Sequence, residues 1–228
     1  MHLYKSIAKV KVQHPDVEFE IYRVPFLLEP GYENQPDNWW ETHDSRMIRR
    51  FGSASAFDRV KKSQNLIGRG AEVGLDVSIG YTQEALTNRK QSCTIKSHRL
   101  ILHVTEKYGT KISEDLYEAL NVEHFLHSGV LNDPELLLST AIEILGASHG
   151  DEIDAFLKSN EKYEEVKMTL RSLEQLGIES IPTLVINGDL QYAVNGAMPS
   201  EKLTEVLLEV ITSIKNNSSQ VNDRLFSF

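Results

Sequence analysis

An α/β chain in which a long all-helical block separates two small β regions is what the pattern of these 228 residues predicts. Three observations carry that expectation. Residues 17–24 alternate apolar and polar side chains up to Pro25, the mark of a half-buried strand. From about residue 41 to 176 the apolar period is helical. After Gly177 it returns to β, with Ile181-Pro182-Thr183-Leu184-Val185-Ile186, the turn pair Asn187-Gly188 and the return strand Leu190-Gln191-Tyr192-Ala193-Val194. Asn-Gly is favoured there because a tight hairpin turn needs two positive φ angles. Two β regions too small to be stable alone most simply join in one sheet, which makes the helical block an insertion.

The elements follow in order. Leu3, Ile7, Ala8 and Val10 recur at near-helical spacing with Lys5, Lys9 and Lys11 opposite, and His14-Pro15-Asp16 ends that first helix. The strand 17–24 comes next. Residues 25–40, rich in Pro, Gly, Asn and aromatics, read as a long loop. Helices are expected over 41–50, 54–74, 92–108, 113–127, 134–146, 150–158 and 161–176. Asp133 caps one of them, with Pro134 in the first position, where a missing N–H costs nothing. Gly109, Gly146 and Gly177 stand where helices close. A last helix, 201–215, carries Leu203, Val206, Leu207, Val210, Ile211 and Ile214 on one face. The tail, 216–228, is polar and expected to be disordered.

Composition narrows the function. The chain is 40% hydrophobic and 25% charged, as in ordinary globular domains, with net charge −9. That balance argues against nucleic acid or an anionic membrane as partner. Arg46, Arg49 and Arg50 read as a solvated helix face. No apolar run reaches the ~20 residues of a membrane span, and the first residues lack a secretory apolar stretch. Cys93 is the single cysteine. One thiol excludes an internal disulfide or a cysteine zinc site and suits a reducing compartment, so a cytoplasmic location is expected.

The order of elements, with Ile181-Pro182-Thr183 opening the hairpin, resembles the DsbA-like thioredoxin family, in particular its FrnE-type oxidoreductases. Val24-Pro25-Phe26-Leu27-Leu28-Glu29-Pro30 is similar to the family's exit from its second strand. Thr94, His98, Arg99 and Leu100 resemble its N-T-x-x-A-H-R-L stretch, with Cys93 in place of Asn and Ser97 in place of Ala. Asn132-Asp133-Pro134-Glu135-Leu136-Leu137 resembles a later insertion helix. The run from Leu176 to Gly188, then Val194-Asn195-Gly196-Ala197 with Pro199, resembles its C-terminal signature. The likeness extends over about residues 3–213.

What the resemblance implies is a thioredoxin-like fold, residues 1–40 and 177–215, with a large helical insertion, 41–176. It implies a protein-disulfide oxidoreductase or isomerase acting on cysteine-containing proteins or low-molecular-weight thiols; no cofactor or metal is expected. It further implies a cis Pro182 and a substrate-binding segment at Ile181, Pro182 and Thr183, where main chain pairs with an extended peptide. The chain departs from the family at its front. The family's first strand, both cysteines of its C-x-x-C motif and most of its first helix have no counterpart, which reads as an N-terminally incomplete chain.

That departure bears on the chemistry. Thiol–disulfide exchange needs an attacking thiolate and a resolving cysteine, so dithiol activity is not expected of these residues. Cys93 is the candidate reactive thiol, since Arg89, Lys90, Lys96 and His98 make its surroundings basic in sequence; an ordinary free cysteine is the weightier reading. Two alternatives stay open: a non-catalytic peptide-binding module, or a relative of kappa-class glutathione transferases and hydroxychromene-carboxylate isomerases. His124 and His127, with Glu123, and His98 with His103 have helical spacings that could hold a metal. No H-E-x-x-H pattern accompanies them, and surface or core-edge histidines account for them better. Asp151, Glu152 and Asp154 fit helix N-terminal charge, and Trp39-Trp40 fits a loop docked on the core. Oligomeric state is not readable from the sequence.

Overall fold

The computed structural model describes residues 2–72, 75 and 77–225, with the backbone alone described at 64 and 217–225. In chain order the elements are α1 (His2–Gln13), a 3-10 turn (Pro30–Asn34), β1 (Glu41–Thr42), α2 (His43–Phe51), α3 (Ala54–Gln64) and α4 (Leu66–Glu72). Then come α5 (Gln83–Asn88), β2 (Lys90–Gln91), α6 (Ile95–Tyr108), α7 (Thr110–Leu126), α8 (Pro134–Leu145), α9 (Gly150–Lys158) and α10 (Tyr163–Gln175). The hairpin β3 (Thr183–Ile186) and β4 (Asp189–Asn195) precedes α11 (Ser200–Leu225).

Contacts divide the chain into two units, Met1–Phe19 with Gly177–Phe228, and Glu20–Leu176. In the first, α1 lies against α11, and Val10, Val194, Leu203, Leu207 and Ile211 form the buried centre. The fully buried Ser6 hydroxyl lies 2.9 Å from the Ser200 carbonyl, which satisfies a polar group at the point where the two helices meet. Asn187 and Gly188 have φ of 54° and 71°, both positive, as the tight turn expected of Asn-Gly requires. β3 and β4 pair antiparallel through Leu184 and Val194, with an irregularity before the Ile186–Asp189 pair.

In the second unit α6, α7, α8 and α9 enclose Leu100, Val104, Leu116, Leu137, Ala141, Ile153 and Phe156. Helix α8 starts as its sequence requires: Asp133 accepts from the Glu135 amide at 3.0 Å and Pro134 follows. Gly109, at φ 87°, lets α6 stop and α7 begin on the next residue, a conformation that a side chain would strain.

Several expectations change. Residues 17–24 do not form a strand. Their exposure alternates residue by residue, with Val17, Phe19 and Ile21 on the covered side and Val24 exposed, yet no described strand pairs with them. Period-two patterning reports that one side is covered; it does not supply a ladder partner. The single sheet is replaced by two separate two-stranded ones, β1–β2 and β3–β4. The helix expected over 54–74 breaks at Asn65, a left-handed residue with φ of 42° whose side chain accepts from Gly68 N at 3.3 Å. Asparagine tolerates that conformation better than most residues. Helix α11 passes the expected end at 215, so the tail read as disordered has helical backbone to Leu225; 226–228 lie outside the described residues.

Candidate functional site

Helix α10 ends before Gly177, and the chain reaches β3 through Ser180, Ile181 and Pro182. The Ile181–Pro182 bond is cis. The Pro182 carbonyl accepts from Gly196 N at 2.8 Å, and the Thr183 hydroxyl lies 2.7 Å from both the Ser180 carbonyl and Asn195 Oδ1. These bonds fix the residues on either side of Ile181. The Ile181 side chain is 50% exposed. Among the described residues no backbone hydrogen bond uses its amide or carbonyl, and β3 pairs with β4 alone. The segment presents an exposed apolar residue two positions before β3, with main-chain groups that no described backbone group engages, a geometry that could receive an extended chain.

Cys93 belongs to the other unit, two residues before α6. The basic neighbours expected to favour its thiolate do not control it. Burial pushes the thiol up from its ordinary value. A hydrogen bond from the Ile95 amide and the charge of Lys96 work the other way, but the carboxylates of Glu33 and Asp37 add to the effect of burial. Glu33, bonded by Tyr163 and by Lys167 Nζ at 2.5 Å, comes from the 3-10 turn and was invisible as a neighbour in sequence.

The histidines are held structurally. His98 Nε2 lies 3.1 Å from the Phe26 carbonyl, and burial pushes its pKa down to about 4. His124 lies near the Gly129 carbonyl and Gln91, also lowered to about 4, chiefly by burial. His127 pairs with Glu123 at 2.9 Å. Among the described residues no group of His, Cys, Asp and Glu could hold a metal ion. Trp39 packs on Tyr32 with ring centroids 4.9 Å apart, docking its loop.

Two clusters escaped the sequence reading. Glu152, read only as helix N-terminal charge, collects Lys107 Nζ at 2.7 Å, Tyr108 OH at 2.9 Å and His103 Nε2 at 3.2 Å. Lys107 foremost draws its carboxyl down to about 2. Arg46, expected on a solvated face, is 5% exposed and binds Glu29 at 2.7 Å. Arg49 binds Glu41 at 2.5 Å. The helical spacing of Arg46 from His43 was the one available signal, and it could not show that the 29–42 loop covers that face.

The chain is mostly helical, with a small hairpin that follows a cis proline and precedes its last helix. A crystal structure of a probable DsbA oxidoreductase from Streptomyces coelicolor is similar to it with a TM-score of 0.71 and 24% sequence identity. The match covers 90% of this chain and 82% of that one. No family model and no curated protein matches the chain. No helix among the described residues is long and apolar enough to cross a membrane.

Proposed function

We propose that this chain is a thioredoxin-like, FrnE-type relative of the DsbA oxidoreductases, in which Ile181, Pro182 and Thr183 bind extended segments of cysteine-containing proteins. In this reading residues 1–40 and 177–215 are the thioredoxin-like part and 41–176 the helical insertion, and the protein works in the cytoplasm. The observation that carries it is the half-exposed Ile181, two residues before β3, whose amide and carbonyl make no described backbone hydrogen bond. Such main-chain groups can pair with a peptide backbone, and the neighbouring side chain adds selectivity.

The same reading assigns no dithiol turnover to these residues. Exchange requires an attacking thiolate and a second cysteine to resolve the mixed disulfide. The sequence contains one cysteine, and its thiol is made less acidic by burial. A photoreactive residue at Thr183 is expected to crosslink an unfolded, cysteine-containing model peptide, and insulin reduction is expected to stay at background. Crosslinks confined to other surfaces would remove the binding site. Insulin turnover at the level of a C-x-x-C enzyme would remove the claim of inactivity.

A further inference from the structure

The β1–β2 ribbon, with Thr42 opposite Lys90, brings the start of α2 against the residue that follows α5. One step beyond the ribbon, the His43 amide donates to the Arg89 carbonyl at 2.8 Å. Arg89 Nη2 in turn lies 2.9 Å from His43 Nδ1. Arg46 stands one turn further along α2, on the same face as His43. His43 therefore neighbours both guanidinium groups, and each of them acts on its proton affinity.

Most charges here are answered. Arg46 has Glu29, Arg49 has Glu41, and Lys61 has Asp44 at 2.9 Å. Arg89 is the remainder. No carboxylate pairs with it among the described residues, and its guanidinium carbon sits 4.5 Å from the centre of the Phe125 ring. Burial and the like charge of Arg46 lower its pKa to about 10, which leaves it protonated near neutrality. His43 and His124 cannot compensate, because both are neutral. Arg89 Nε and Arg46 Nη2 are buried donors without an acceptor among the described residues. Asp44 Oδ1 also lacks a partner, while the other oxygen of that carboxylate is held by Lys61. Arg89 is half-buried, and an Nε–H shut off from solvent without a partner is costly, whereas a structural arginine is normally paired.

We propose that Arg89, with Arg46 beside it, anchors a binding site for one carboxylate group, received by Arg89 Nε and Arg46 Nη2. The charge count selects the ligand. A single unanswered positive charge matches a singly charged carboxylate better than a phosphate dianion, and the flat guanidinium fork fits the two oxygens of a carboxylate. The carboxylate comes from a small organic acid or from the end of a peptide, and the recognition chemistry is the same for both.

The test is an NMR titration of the full chain that follows the Arg89 Nε–H resonance. Sodium acetate, and separately a short peptide ending in a free carboxylate, are compared with sodium chloride at equal ionic strength. A saturable shift with either carboxylate supports the site, and tighter binding of the peptide than of its C-terminal amide assigns the source to a chain end. No shift with acetate or peptide overturns the proposal, as does a stronger response to inorganic phosphate than to acetate. Arg89→Lys keeps the charge but loses the fork, and its carboxylate affinity should fall by about tenfold or more. Arg50→Gln, on an exposed neighbour, should leave the affinity unchanged. If Arg89→Lys fails to fold, the wild-type titration still decides.

Discussion

His98 and Phe26, 72 residues apart in the chain, are joined by a hydrogen bond of 3.1 Å between the imidazole Nε2 and the Phe26 carbonyl. The bond fastens the segment that opens the 25–40 loop to α6. His98 is buried, and its folded pKa of about 4 lies well below the ordinary 6.5. His43 and His124 share that depression. Between those two values the unfolded chain binds protons that the folded chain refuses. Stability is therefore full above about pH 6.5 and falls as the pH drops toward 4. One such group contributes a slope approaching about 1.4 kcal/mol per pH unit. Glu152, lowered to about 2, weakens the fold only as the pH passes below its ordinary 4.5, so the interval between 6.5 and 4.5 isolates the histidines. Urea midpoints at pH 7 and pH 5 should differ in that direction, and His98→Gln should reduce the difference. Equal midpoints for the wild-type chain would remove this account.

Arg99 supports a second prediction. It is 4% exposed and donates Nε to the Glu161 carbonyl and Nη2 to the Ser159 carbonyl, each at 2.6 Å. Carbonyls at the end of a helix lack partners within it, and Arg99 satisfies those around the end of α9. Arg99→Ala should destabilise the protein by roughly 2–4 kcal/mol, because acceptors and a packed stem are lost together. Arg99→Lys, with a single charged head, should recover only part of this. A loss of less than about 0.5 kcal/mol for the alanine variant, read from urea unfolding, would show that solvent replaces these bonds without cost.

How far the sequence could be read follows from which signals are local. Asp133-Pro134 and Asn187-Gly188 announced a helix start and a turn because their chemistry acts within a few residues. The same locality misled at residues 17–24, where alternation was real and a pairing partner was not. Asn65 broke a helix that periodicity alone would have continued. At the candidate site, Ile181-Pro182-Thr183 was legible through resemblance, while the lack of a described backbone partner for Ile181 depended on which strands pair. At Cys93 an ordinary free cysteine was the weightier reading, and the case for an activated thiol rested on Lys96 and Arg89 being close in sequence. Glu33 and Asp37, which offset them, arrive from a loop some sixty residues earlier.

The turn itself gives a third prediction. Gly188 holds φ at 71°, in the left-handed region where a side chain costs roughly 1–2 kcal/mol. Gly188→Ala should lower the stability of the hairpin unit by about that amount, whereas Asn187→Gly should be tolerated, since the turn requires positive φ at both positions. Amide exchange across Leu184 and Val194, the paired residues of β3 and β4, reports the effect directly. Faster exchange there in Gly188→Ala, with Leu100 and Leu116 unchanged, is the expected result. Unchanged exchange at Leu184 and Val194 would mean that the turn does not hold the pair together.

Cys93 settles whether any thiol chemistry belongs to the described chain. Only the thiolate attacks an electrophile, and burial together with Glu33 and Asp37 disfavours that form. Iodoacetamide at pH 7 should therefore alkylate Cys93 more slowly than it alkylates glutathione, by roughly tenfold or more once partial burial is added to the smaller thiolate fraction. The rate should continue to rise above the ordinary thiol range as pH increases, and denaturation in urea should bring it to the level of an unstructured cysteine. Cys93→Ser should leave peptide crosslinking at Thr183 intact, because that segment uses main-chain groups and not a thiol. Alkylation faster than glutathione at pH 7 would instead identify a stabilised thiolate, and a one-cysteine exchange with low-molecular-weight thiols would then replace the binding role argued for Ile181.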